Sequence, residues 1–422
     1  MKEILQKQHE LLRITANNLS NFKNSGLADV ELPKKFYLLG AGKASVQIAK
    51  SLLERGSYFK DGILIGVEKD RVSGAQVFVG NHPYPDNDSV AASYELLSLA
   101  RSIPAGETVV FCLSGGASAL LCIPPYGIEV EEIQILYKLL LNSGANIQQI
   151  NTVRKHVCDL KGGKFAEELS HVELITLIES DVPGDDISTI GSGPTVADPS
   201  TFREAIDILK EFKLWAKLPE SIQRHLIFGE EGVIPENPKV EQLSHLQHKA
   251  HIISESEGLA QNIAHSLAQA GYHVWIDEKA YSEDVKSISK KMCSKAIAIV
   301  SKKDDMKMPA ALIYHGESTV EVKGSGLGGR NQELALIAAL SIEGQHPISV
   351  LSIGTDGIDG PTDASGAIIN SFTTLAARKE KLAPEQFLQN NDSYNFHEAM
   401  NTHVKLGPTG INLMDLQVIL IG

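Results

Sequence analysis

Short apolar runs and longer amphipathic stretches take turns along this chain. Runs at 35–39, 62–67, 76–79, 108–113 and 173–178 have the length and apolar content of strands, and the stretches 130–142 and 147–169 have the period of helices. A connector at 218–248, poor in apolar residues and marked by Pro219, Pro235 and Pro238, interrupts the pattern. Beyond it come strands at 250–254, near Val274, and at 311–314, 319–322, 348–353 and 417–421, with a helix at 333–340. This order predicts layered α/β structure in two domains, an N-terminal one over 1–245 and a C-terminal one over 246–422. A cleft between two such domains is the expected place for a ligand. The chain shows no short internal repeat and no low-complexity tract.

Composition agrees with two cores and narrows the partners. A chain of 422 residues is long for one ordinary core, and 43% apolar with 22% charged residues is the balance of a soluble globular protein. No apolar run approaches the roughly 18 residues of a membrane span. The first residues read as an amphipathic helix rather than a signal peptide, which predicts a cytoplasmic protein. A net charge of −13 argues against nucleic acid and anionic membrane as partners. A polyanionic substrate would then be held by a few local cations or by a metal. Cys112, Cys122, Cys158 and Cys293 have no C-x-x-C pair and no zinc spacing, so they read as small buried thiols.

The unusual residues fall where strands end. Glycine- or aspartate-rich clusters at 40–43, 114–118, 181–186, 324–330 and 355–363 each follow a predicted strand, at the edge where open parallel sheets bind ligands. In the fourth cluster the run 318–322 alternates like a strand, so the glycines 324–329 would turn into a helix. Such a turn aims backbone N–H groups and a helix N-terminus at one point, suiting phosphate or carboxylate. Arg330 would add a guanidinium fork, with Gly328, Gly329 and Asn331 beside it. The same glycines fit G-x-G-x-x-G literally, but the next strand reaches its acidic residue, Asp356, later than the roughly 20 positions a dinucleotide site requires.

Other clusters supply complementary chemistry. Lys43 follows Gly-x-Gly at a predicted helix start without the Walker A pattern, since Ala44 replaces the Ser or Thr. Ser114, Gly115, Gly116 and Ser118 have the form of a phosphate cradle or of a tight turn under a helix. Asn151, Arg154, Lys155 and His156 form a basic segment whose members cannot all share one helix face; they are candidates for a substrate anion. Asp181, Asp185 and Asp186, and Asp356, Asp359 and Asp363, offer hard oxygens for Mg²⁺ or simply Asx-turns.

Taken together, these segments resemble the class II glycerate kinases, the family that ends in a MOFRL domain. The resemblance rests on 39–44, 114–118, 153–156 with 160–163, 180–186 with 193–195, 328–333, 354–357 with 359–363, and 407–410, in family order across nearly the whole chain. It implies a Rossmann-like N-terminal domain, a MOFRL-type C-terminal domain, and phosphorylation of D-glycerate by ATP with Mg²⁺, usually to 2-phosphoglycerate. Lys43 and Arg330 are then expected to act on the transferred phosphoryl from opposite domains. Asp186 is expected in the catalytic set and Asp185 and Asp356 around the metal, with the division between base and metal ligand among the three left open. The partners implied are D-glycerate and a nucleotide, and a homodimer stays open. Members are also labelled hydroxypyruvate reductase, so an NAD(P)H-dependent reductase is one alternative and a nucleotide- or sugar-acid-binding protein without turnover another. One motif departs from the family. Where Gly-Thr-Asn-Val-Asn-Asp is usual, this chain has Gly410-Ile411-Asn412-Leu413-Met414-Asp415, which keeps Asn412 and Asp415 but makes two polar positions apolar.

Overall fold

The structure, a computed structural model, describes residues 1–22 and 25–422. The chain forms two compact units, one from residues 26–253 and the other from residues 1–25 together with 254–422.

Six strands build the sheet of the first unit: β1 (Lys35–Ala41), β2 (Tyr58–Gly66), β3 (Gln76–Val79), β4 (Thr108–Leu113), β5 (Glu173–Glu179) and β6 (His248–Ser254). Their order is β3-β2-β1-β4-β5-β6, and β3 through β5 run parallel. Successive residues of β1 and β4 are buried on opposite faces. Leu39, Phe111 and Leu113 enter one core, and Leu38, Val110 and Cys112 the other. A parallel sheet covered on both sides requires such continuous apolar runs. Strand order reverses between β1 and β4, and Ala41 pairs with Leu113, so the turns that follow these strands lie level at the switch point where doubly wound sheets bind ligands. The stretch 147–169 is not one helix. It divides into helices Ile147–His156 and Lys164–Glu168, and Gly162 and Gly163, just before the second, take left-handed conformations with φ of 59° and 85°.

The second unit departs further from the parallel reading. Its strands are β7 (His273–Ile276), β8 (Tyr281–Asp284), β9 (Ala310–Thr319), β10 (Ile348–Gly354), β11 (Gly366–Asn370), β12 (His403–Val404) and β13 (Asp415–Ile421). The order is β12-β11-β10-β13-β9-β7, antiparallel from β12 to β9, with only β7 and β8 parallel to β9. The strand expected at 311–314 runs on to Thr319 as one strand of ten residues with buried polar positions, whereas 320–322, expected as part of a separate strand, lie outside any strand. His315 Nδ1, at one of those polar positions, lies 2.8 Å from Ser256 Oγ.

Residues 1–25 fall in the C-terminal unit, although the sequence division placed them with 26–245. The cause is one amphipathic helix, Lys2–Asn17, which buries Leu12 and Ala16 in the core beneath β10 and β13. Its buried Gln8 accepts from Ser349 Oγ at 2.8 Å and donates to the Pro347 carbonyl at 3.3 Å. All four cysteines are buried and free. No described helix is long and apolar enough to cross a membrane.

Candidate active site

The turns after β1 and β4 are built against each other. Gly42, at φ 131°, lies so close to Ser114 that a Cβ there would sit 2.2 Å from its Oγ. Ser114 Oγ accepts from Ala44 N at 2.9 Å, at the start of helix Ser45–Glu54, and Lys43 N donates to the Gly115 carbonyl at 2.9 Å. The Ser114 hydroxyl is therefore engaged in holding the two turns together. Gly115 and Gly116 donate no backbone hydrogen bond among the described residues. Lys43 is exposed, and its aliphatic stem runs past Gly116, whose absent Cβ would lie 3.2 Å from Lys43 Cγ and 3.3 Å from the His82 ring. The Asp181 carboxylate covers Gly115 so closely that a Cβ there would displace it.

Arg154 lies behind this turn and is almost completely buried. Its guanidinium carbon stands 4.2 Å from the centre of the Tyr137 ring, and its Nε has no hydrogen-bond partner. Among the described residues no carboxylate lies within ion-pair distance of it. Burial pushes its pKa down, yet an arginine keeps its charge in a protein. Stacking on an aromatic ring is worth roughly 0.5–2 kcal/mol, whereas burying an unpaired ion costs several, so desolvation wins. Burial, then the charges of Lys43 and Arg154, hold His82 at about 4, which leaves it neutral at pH 7 beside the two cations. Ser118 Oγ lies 2.9 Å from Ser192 Oγ, which donates to Asn151 Oδ1 at 2.9 Å, and Asn151 Nδ2 donates to the Thr189 carbonyl.

Lys155 and His156, neighbours of Arg154, have partners inside the fold. Lys155 Nζ is 3.3 Å from Asp198 in a buried ion pair, and the His156 ring lies between the Thr152 carbonyl and Glu236. Successive helix residues face roughly 100° apart, so these two side chains take partners on other sides of the helix from Arg154. In the aspartate loop, Asp186 accepts from Ser188 N, Ser188 Oγ and Thr189 Oγ1 at 2.9–3.0 Å. Burial opposes its ionisation, but these hydrogen bonds and the Lys155 charge hold its carboxyl below the usual range. Asp186 thus serves as a loop anchor, while Asp181 is the carboxylate against the glycine turn. Asp185, at φ 55°, has one buried carboxylate oxygen without a hydrogen-bond partner. Among the described residues no group of three or more His, Cys, Asp or Glu side chains is arranged to hold a metal.

In the C-terminal unit the glycine-rich segment is not an open cradle. The N–H groups of Lys323 and Gly324 donate to Asn391 Oδ1, Ser325 to Asn390 Oδ1, Gly326 to the Asn390 carbonyl, and Leu327 to Asp392 Oδ1, all at 2.8–3.1 Å. The approach is close enough that a Cβ on Gly324 would stand 2.1 Å from the Asn390 carbonyl oxygen. A Cβ on Gly328 would meet Ser393 Oγ at 2.2 Å. The expected anion site at the start of helix Arg330–Ser341 is filled by the protein itself, since Asp359 accepts from Asn331 N and Gln332 N at 3.0 and 2.9 Å and lies against Gly329. Arg330 Nε is paired with the fully buried Asp415 at 2.9 Å and its Nη1 with Glu317 at 3.0 Å. Asp415 also accepts from Ser318 and from Asn331 Nδ2. Asp356 Oδ1 accepts from Ile358 N at 3.1 Å. The altered positions Ile411 and Met414 are buried, Met414 at φ 65°.

Asp359 titrates at about 6, above the ordinary 3.8, chiefly because it is buried. The folded chain therefore holds this proton more tightly than the unfolded chain, and the group's support of folding is full below pH 4 and lost as pH rises through 6. Relative to Asp359→Asn, the wild type is expected to lose up to about 2–3 kcal/mol between pH 4 and 7, measured by urea unfolding.

Sequence reasoning passed over His82 and Tyr137, for which no motif gives a signal, and did not separate Asp181 from its neighbours. Comparison with known proteins matches the same segments. Residues 3–227 fit a domain of unknown function, DUF4147, and residues 310–415 fit the MOFRL family. The D-glycerate 2-kinase of Thermotoga maritima is 35% identical over 398 residues, covering 92% of each chain. A relative from Agrobacterium vitis, provisionally named hydroxypyruvate reductase, is 33% identical over 91% of this chain and 87% of its own. The crystal structure of the Thermotoga maritima glycerate kinase superposes with a TM-score of 0.88 at 32% identity, with all of both chains covered. The chain belongs to the glycerate kinase family that combines a DUF4147 domain with a MOFRL domain.

Proposed function

We propose that this protein transfers the γ-phosphoryl group of ATP to the 2-hydroxyl of D-glycerate, with Mg²⁺, in the cytoplasm. The observation that carries this reading is the buried Arg154 guanidinium, whose Nε has no hydrogen-bond partner and which has no carboxylate within ion-pair distance among the described residues, behind a turn whose Gly115 and Gly116 N–H groups donate to no described backbone carbonyl. A small carboxylate substrate supplies the missing charge, and a fork is the shape that binds it. Gly115 N–H, Gly116 N–H and Lys43 then hold phosphoryl oxygens, as the switch point of the sheet favours. The glycerate oxygen attacks phosphorus, the bond to ADP breaks, and Asp181 takes the hydroxyl proton. Such a transfer needs positioning and charge neutralisation more than covalent help.

Mg²⁺ commonly keeps several waters and takes one or two carboxylates plus the phosphates, so the absence of a three-ligand cluster does not conflict with it. The unpartnered oxygen of Asp185 fits one such contact or its water. Bound there, the ion would neutralise phosphate charge. Arg330 remains assigned to turnover, with Asp415 and Glu317 fixing its orientation.

A reductase reading has less support, because the N–H groups of 323–327 that a dinucleotide would need already bind the 390–392 turn. The expected result is ADP release that requires D-glycerate, ATP and Mg²⁺, with no NADH or NADPH oxidation on hydroxypyruvate. Nicotinamide oxidation without glycerate-dependent ADP release would reject the kinase reading.

A further inference from the structure

Tyr137, on helix Val130–Leu141, is 1% exposed and touches two parts of the proposed site at once. Its ring face carries the Arg154 guanidinium at 4.2 Å, and its hydroxyl donates to the Ser118 carbonyl at 3.1 Å. Ser118 is also tied through Ser192 to Asn151, one helical turn before Arg154. The helix bearing Arg154 is thus joined to the Ser114–Ser118 turn by two routes that meet at Ser118. A long arginine side chain loses about 2 kcal/mol of rotamer freedom when fixed, and no carboxylate among the described residues fixes this one. The Tyr137 ring is the surface against which the guanidinium lies.

We infer that Tyr137 is a positioning residue for substrate: it orients Arg154 toward a carboxylate and holds that cation in register with the glycine turn that takes the phosphoryl group. The inference rests on the reading that Arg154 receives the glycerate carboxylate. A ring is required for the stack, whereas the hydroxyl is a secondary tie. Loss of the ring should weaken glycerate binding and leave the nucleotide contacts, made by backbone N–H groups and Lys43, as they are.

The test compares Tyr137→Phe, Tyr137→Leu and Arg154→Ala in the full-length enzyme, with KM for D-glycerate and for ATP, kcat, and the thermal unfolding midpoint as readouts. Tyr137→Leu is expected to raise the glycerate KM at least tenfold with the ATP KM within twofold, and Tyr137→Phe to stay within about threefold of wild type. If the leucine variant does not fold, Tyr137→Met, which keeps an unbranched apolar side chain, replaces it. An unchanged glycerate KM in the ringless variant, or a parallel rise in both KM values, would overturn the inference. An unchanged glycerate KM in Arg154→Ala would overturn the carboxylate assignment itself. A large effect in Arg154→Ala with none in Tyr137→Leu would remove the role of Tyr137 alone.

Discussion

Replacement of Arg154 by alanine is expected to lower kcat/KM for D-glycerate by about 100- to 1,000-fold, mostly through KM, as loss of a buried charge-assisted carboxylate contact does. Stability should respond in the opposite sense from that of an ordinary buried ion. The free protein carries Arg154 desolvated and without a counter-ion, so Arg154→Met, which fills the space without charge, is expected to raise the unfolding midpoint while losing glycerate affinity. Lys155 supplies the control. Lys155→Met strands Asp198 in the interior and should cost about 3 kcal/mol despite the hydrogen bonds from Asn237 and Ser200. Adjacent residues of one helix would then move stability in opposite directions. A lowered midpoint in Arg154→Met, together with an unchanged glycerate KM, would show that Arg154 is a structural ion.

The second large effect concerns the two assigned phosphoryl cations. Lys43→Ala and Arg330→Ala are each expected to lower kcat by about 100- to 1,000-fold, the range for removing one electrostatic contact to a developing charge. Their stabilities should differ. Lys43 is exposed and pairs with no carboxylate among the described residues, so its loss leaves the unfolding midpoint within about 1 °C. Loss of Arg330 leaves the buried Asp415, among the described residues, with Ser318 and Asn331 alone, at a cost of about 2–3 kcal/mol. Arg330→Lys separates the two consequences, since it keeps a charge near Asp415 without the two-sided fork. Near-normal turnover in both alanine variants would end their assignment.

Sequence periodicity located the strands of the first unit well, because a parallel sheet buried on both faces leaves continuous apolar runs. It misread the second sheet as parallel because apolar runs carry no direction. The break at 157–163 was hidden by the buried apolar residues Val157, Cys158 and Leu160, which lie in a non-helical segment. At the site, Lys43 and Ser114–Ser118 were legible as strand-end clusters. Arg154, Lys155 and His156 were legible as a basic group but could not be told apart, since their partners Tyr137, Asp198 and Glu236 are remote in sequence. Composition also failed to distinguish the two glycine-rich turns. At 115–116 the N–H groups donate to no backbone carbonyl among the described residues, while the other turn uses five in succession to hold the turn 390–392, a pairing that lies more than 60 residues away.

The docking of helix Lys2–Asn17 beneath β10 also sets an order of events in biosynthesis. Gln8 and Ser349, which share a hydrogen bond, are 341 positions apart. At ribosomal speeds of about 5–20 residues per second, roughly 20–70 s separate the appearance of the helix from that of its partner strand. Throughout that interval the apolar stripe around Leu12 and Ala16 has no native surface to cover it, while residues 26–253 emerge and can close on their own core. The helix is therefore made long before the strand that secures it.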